Sequence, residues 1–78
     1  MSEDYIRRKM ADGLRIALST KQMRQKDLAK MLGTSEATVS RYLNGEGIPN
    51  AITLMRICSI LGLSFEYFND ILEGKSND

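Results

Sequence analysis

Little in this sequence can make or break covalent bonds. It has no histidine and one cysteine, Cys58, which falls on the apolar face of an expected helix. No pair of carboxylates stands where a cavity is expected. No catalytic residue, no metal ligand set and no cofactor is therefore expected, and Cys58 reads as a small core hydrophobe. Side chains suited to recognition concentrate in Gln25–Asn44, QKDLAKMLGTSEATVSRYLN. They are amides, hydroxyls and a guanidinium, groups that make directional hydrogen bonds. Beneath them Leu28, Ala29, Leu32, Val39 and Tyr42 form an inner face, and Gly33 sits where the chain must bend. The pattern is two short helices joined by a tight turn, the second offering short polar residues to a groove in a partner.

Such a pair needs a mounting, and the composition allows a small one. The 78 residues are 42% hydrophobic and 27% charged, which fits one globular domain over 1–78 with little room for an enclosed active site. No apolar run approaches the length of about 18 residues needed to cross a bilayer. The N-terminus, MSEDYIRRK, lacks the apolar centre of a signal peptide. With a lone cysteine, these points favour a reducing cytoplasm and no membrane partner. The net charge of +1 conceals an asymmetry. Tyr5–Leu61 holds ten basic and four acidic residues, a balance of +6, and Gly62–Asp78 holds one basic and four acidic, a balance of −3. A basic body suits a polyanion, although solvated surface charge explains it equally well.

Apolar periodicity predicts five helices and no strand, an all-α fold. Ile6, Met10, Leu14, Ala17 and Leu18 line the first, over Tyr5–Thr20, with Ser2 or Asp4 as its cap and Tyr5 and Ile16 off the stripe. Residues 1–4 and 74–78 are expected to fray. Gln25–Leu32 forms the second helix, ended by Gly33. Thr34 or Ser35 caps the third, about Glu36–Leu43, and Gly45 stops it. After the loop EGIPN, Asn50 caps Ala51–Leu61, with Ile52, Leu54, Ile57, Cys58 and Leu61 inward. Ser64 caps Phe65–Leu72, with Phe68 and Leu72 inward.

The order Gln25-x-x-Leu28-Ala29-x-x-x-Gly33-x-x-x-x-x-Val39-x-x-Tyr42 resembles the helix-turn-helix of the lambda-repressor and Cro-like family, also called the XRE family. The resemblance runs on through Asn44-Gly45, Pro49, the Leu54/Ile57/Leu61 helix and Leu63-Ser64, covering about residues 10–70. It implies a compact five-helix bundle that binds double-stranded operator DNA, usually as a homodimer, with Glu36–Asn44 entering the major groove. A small transcriptional regulator follows, a phage-type or Cro-like repressor. An antitoxin, a restriction–modification controller, or an interaction module that no longer binds DNA are the alternatives. No small-molecule ligand is evident.

The expected base contacts are Ser35, Glu36, Ala37, Thr38 and Arg41. Arg41 can pair with guanine O6 and N7, Glu36 can accept from a cytosine amine, and Ala37 can touch a thymine methyl. Each has a plainer reading: Arg41 in an ion pair, Glu36 as a carboxylate favoured by the helix dipole, Ser35 as a cap. By the same resemblance Gln25 and Arg24 hold phosphates, with Ser40 and Asn44 on the flanking backbone. Phe65, Tyr67 and Ile71 form the two-fold contact. Two positions depart from the family. An Arg in the first helix and a Glu before Asn-Gly are here Leu18 and Leu43, which are expected to pack together. Gln22 stands where a glycine is common, leaving that turn's geometry open.

Overall fold

The structure, a computed structural model, describes residues 2–74; position 1 and positions 75–78, including the fraying expected there, lie outside it. Five helices follow in order: α1 (Glu3–Thr20), α2 (Gln25–Leu32), α3 (Glu36–Leu43), α4 (Ala51–Leu61) and α5 (Phe65–Leu72). Four of the five match the boundaries expected from capping and periodicity. The exception is α1, which begins two residues early. Ser2 caps it by accepting the Tyr5 N–H at 3.1 Å, and Glu3 and Asp4 face the positive end of the dipole, so residues 2–4 form an ordered first turn.

The caps explain the other starts. Ser35, not Thr34, caps α3, its Oγ accepting the Thr38 N–H at 3.1 Å. Asn50 Oδ1 accepts the Thr53 N–H at 2.8 Å. Ser64 occupies the N-cap position of α5 but makes no side-chain cap bond. At α2 the cap position holds Arg24, which has no side-chain acceptor; instead its own N–H donates to Asp27 Oδ2 at 3.3 Å.

One core unites all five helices. Leu14, Leu28, Val39, Ile57 and Leu61 are its most deeply buried large side chains, joined by Met10, Ala17, Leu18, Ala29, Leu32, Leu43, Cys58 and Phe68. Desolvation of Cys58 pushes its thiol up, consistent with a neutral packing role. Ile52 overturns one expectation: it is 72% exposed. It lies two residues from Leu54, about 200° around a helix, and cannot share its face. Tyr42 and Leu54 pack against the core only partly buried, and Leu72 is half-buried.

Against α1 lies α5. The Tyr67 hydroxyl donates to the Gly13 carbonyl at 2.8 Å and the Tyr5 hydroxyl to the Leu72 carbonyl at 3.1 Å. Gly13 permits this closeness, since a Cβ there would lie 2.8 Å from Ile71 Cδ1. Among the described residues no single helix is long and apolar enough to cross a membrane.

Candidate nucleic-acid interface

The α2–α3 pair stands on the core by its inner side. Leu28, Ala29 and Leu32 of α2 and Val39 and Leu43 of α3 are buried, while Ser35, Glu36, Ala37, Arg41 and Asn44 are exposed. Between the helices Gly33 adopts φ +72°, and the Thr34 N–H reaches back to the Ala29 carbonyl at 3.0 Å. That bond turns the chain within two residues. A side chain at Gly33 would meet nothing within 4 Å, so the glycine serves the backbone conformation and not packing.

Around α3 the predicted residues separate into two groups. At about 100° per residue, Arg41 lies roughly 160° from both Val39 and Leu43, on the side turned away from the core. Ala37 neighbours it one turn earlier, and Thr38 follows on the next edge. Glu36, Ser40 and Asn44 form the other edge at four-residue spacing. Along that edge the Asn44 amide donates to Ser40 Oγ at 3.3 Å. The geometry therefore brings Ala37, Thr38 and Arg41 together and sets Glu36 beside the two residues expected on the phosphate backbone.

Hydrogen bonding further divides their roles. Ser35 Oγ holds the Thr38 N–H and lies 3.0 Å from Thr38 Oγ1, so both hydroxyls are engaged in starting the helix. Arg41 takes part in none of the four ion pairs among the described residues, and neither does Glu36. The plain alternative for Arg41, an internal ion pair with Glu36, is absent there. Arg24 is 74% exposed and stands 3.5 Å from Asp27. An exposed pair of this kind is worth at most about 1 kcal/mol, so the guanidinium is easily diverted to another anion. Gln25 occupies the first position of α2, where the backbone N–H has no partner within the helix.

Sequence reasoning missed the wall beside Arg41. A hollow of about 190 Å³ is lined by Thr38, Arg41, Tyr42, Gly47 and Ile48. Gly47 and Ile48 lie in the stretch that reads from sequence only as a loop. The one available signal was an exposed-type loop carrying an isoleucine, here 39% exposed, directly before a proline. The basic body also proves less free than its count suggests. Arg7 pairs with Glu3 and Asp4, Arg15 with Asp12, and Arg56 binds carbonyls at the end of α2. Lys26 and Lys30 of α2 remain exposed and take part in none of those ion pairs.

The profile of the helix-turn-helix family HTH_3 matches residues 14–68, from the first fully buried leucine of α1 to the buried phenylalanine of α5. The chain belongs to this helix-turn-helix family. A crystal structure of an HTH_3 family transcriptional regulator from Vibrio cholerae superposes with a TM-score of 0.78 at 26% identity. The superposition covers 90% of this chain and 40% of that one, so the chain spans less than half the length of that regulator. No curated protein matches the sequence. The match takes in α2 and α3 whole, the two elements on which the sequence pattern centred. It also takes in α4 and the first half of α5, whose buried residues complete the core under α2 and α3.

In this helix-turn-helix protein the three residues expected at a two-fold contact lie in different surroundings. Phe65 is 53% exposed, but Tyr67 and Ile71 are directed into the α1–α5 contact. Tyr67 is two residues from Phe65 and so lies about 200° around α5 from it. It also meets the Phe68 ring edge-on at 5.0 Å between centroids. Desolvation raises the Tyr67 phenol above its ordinary range. The three residues do not form one outward patch; Phe65 alone of them is largely free.

Proposed function

We propose that the chain binds double-stranded DNA sequence-specifically, inserting α3 into the major groove, and acts as a small transcriptional regulator. The observation that carries this reading is Arg41. It projects from the side of α3 opposite the core, beside the small Ala37, without an ion pair among the described residues. A guanidinium so placed matches the O6 and N7 acceptors of guanine, and a good bidentate pair discriminates by about 1–3 kcal/mol. Gln25 and Arg24 at the start of α2, with Ser40 and Asn44 on the opposite edge of α3, serve as phosphate contacts that set register. Glu36, on that same edge, faces a cytosine amine or keeps phosphate at a distance.

The finer reading is a Cro-like or phage-type repressor in the cytoplasm, acting as a homodimer on a near-palindromic operator. Phe65 supplies the exposed apolar residue of the dimer contact, and the two α3 helices then lie about 34 Å apart, one turn of DNA. Fluorescence anisotropy on random duplex across a salt series tests the class. Affinity falling steeply with salt supports DNA binding by counterion release. No binding at low salt overturns it in favour of a protein-interaction module. Selection from a random duplex pool then tests reading: Arg41→Ala relaxes one base position, whereas Gln25→Ala weakens all sequences alike. Unchanged base preference with Arg41→Ala removes it from the reading edge.

A further inference from the structure

Each α-helix leaves its last four carbonyls without a partner inside the helix. At the end of α2 the Thr34 N–H takes the Ala29 carbonyl at 3.0 Å and the Gly33 N–H takes that of Lys30 at 3.2 Å. The remaining two are taken by one side chain from α4: Arg56 donates to Met31 at 3.3 Å and to Leu32 at 3.0 Å. The end of α3 follows the same scheme. Asn44, Glu46 and Gly45 N–H groups bond the carbonyls of Ser40, Arg41 and Tyr42 at 2.9, 2.9 and 3.4 Å. Leu43 is left, and its carbonyl accepts from Nη1 of Arg15 on α1. The other arm of that guanidinium, Nη2, bonds Asp12 Oδ1 at 2.5 Å, one turn earlier on α1.

From this arrangement we infer that Arg15 is a positioning residue that sets the orientation of α3 relative to α1, and with it the sequence preference of the protein. The inference rests on the reading of α3 as the helix that enters DNA. Asp12 holds one arm of a rigid planar fork, so the direction of the other arm is set by α1. The Leu43 carbonyl must meet that arm, and a cation at the C-terminal end of a helix is also favoured by its dipole. Leu18 and Leu43 are both buried in the core cluster, but apolar burial carries no comparable directionality. With eight residues, α3 is about 12 Å long, and a tilt of about 10° about its C-terminal end displaces the Glu36–Ala37 end by about 2 Å. Base contacts tolerate only about 0.5 Å, so loss of the fork degrades reading while leaving the fold in place.

The inference predicts a particular pattern of loss. Arg15→Ala lowers the ratio of specific to random-duplex affinity by about tenfold, the share of one charge-assisted hydrogen bond. The salt slope stays as in the unsubstituted protein, because no phosphate contact is removed. Arg15→Lys keeps the charge and alkyl stem but not the fork, so it does not restore the ratio; it also serves if Arg15→Ala fails to fold. Two results overturn the inference. An unchanged ratio, once affinities are corrected for the folded fraction, leaves Arg15 with a purely structural role. A slope reduced by about 0.9 with equal loss on every sequence makes it a phosphate contact. Residual dipolar couplings of the free proteins decide the geometry without DNA: the substitution must change the α1–α3 angle, and an unchanged angle refutes the positioning role. If the unsubstituted protein shows no salt-dependent DNA binding, the functional reading falls, and the couplings still decide whether Arg15 orients α3.

Discussion

Gln22→Gly should stabilise the protein, and the structure indicates by how much. The first four helices end in the same turn. In each, an N–H five residues on bonds a carbonyl in the last helical turn: Met23 to Leu18, Thr34 to Ala29, Glu46 to Arg41 and Leu63 to Cys58, at 2.9, 3.0, 2.9 and 2.8 Å. Such a turn requires one residue in the left-handed region. In three cases it is a glycine, with φ of +72° at Gly33, +73° at Gly45 and +67° at Gly62. At the end of α1 it is Gln22, with φ +54°, the one non-glycine residue at positive φ among the described residues. The position left open by sequence thus adopts the conformation a glycine would, because Met23 must turn back to bond Leu18 and pack on the core.

A side chain in this region costs about 1–2 kcal/mol relative to glycine. Against this, glycine gives the unfolded chain more freedom, which removes about 0.4–1 kcal/mol of the gain. Gln22 is exposed, so little packing is lost. The net expectation is a gain of about 0.5–1 kcal/mol, or about 2–8 °C in Tm for a domain of this size. Thermal and urea unfolding followed by circular dichroism measure it. Gly33→Ala supplies the reverse change where an added Cβ meets nothing within 4 Å, and it should cost about 1 kcal/mol. Gln22→Ala, which keeps a Cβ, should bring no gain. A Gln22→Gly protein no more stable than the parent would refute the claim that backbone strain is held at this turn.

Other consequences are quickly stated. Tyr67→Phe removes the hydroxyl that reaches the Gly13 carbonyl and should cost about 1 kcal/mol in urea unfolding, with the helical signal unchanged. Burial raises both the Cys58 thiol and the Tyr67 phenol, so the folded state holds these protons more tightly than the unfolded chain. Stability from these groups is therefore full below the unfolded thiol value of about 8.5 and declines as pH rises through the folded values. Urea midpoints between pH 7 and 10.5 should fall, and less steeply in Cys58→Ala and Tyr67→Phe; equal slopes in parent and variants would contradict this.

Much of the fold was legible because its signals are local. Ser35 and Asn50 cap helices through bonds spanning three residues, and Gly33, Gly45 and Gly62 each end one. Periodicity identified most of the core; Ile6, Tyr42, Leu54 and Leu72 are only partly buried, Ala11 was missed, and at Ile52 hydrophobicity was taken for inwardness although the helical angle opposed it. The site was legible only in part. Ala29, Gly33 and Val39 marked where the two helices cross and bend, but the partition of α3 into an Arg41 side and a Glu36–Asn44 edge needed the core as a reference direction. Arg15 and Arg56 were illegible as structural groups. Their acceptors lie 28 and 24 residues away, and an arginine in an amphipathic helix reads as solvated charge until its partner is known. The Tyr67 bond to α1 was illegible for a related reason: its hydroxyl partner Gly13 is 54 residues distant.

Leu18 and Leu43 carry the comparison with the family furthest. Where an Arg and a Glu are common, both residues here are buried, at 6% and 8% exposure, within the one core cluster. An ion pair both attracts and orients; two leucines attract only. Arg15, one turn before Leu18 on α1, restores a directed bond to the same end of α3 through the backbone of Leu43. In this chain the polar link between α1 and the end of α3 is thus a guanidinium–carbonyl bond, while positions 18 and 43 are apolar and buried. A double-substitution cycle tests whether the two positions face each other. Leu18→Arg or Leu43→Glu alone places an unpaired charge in the core and should cost about 3–5 kcal/mol. Together they can pair, and the double variant should recover at least about 2 kcal/mol of the summed loss in urea unfolding. Additive losses would mean that Leu18 and Leu43 share a core without sharing a contact.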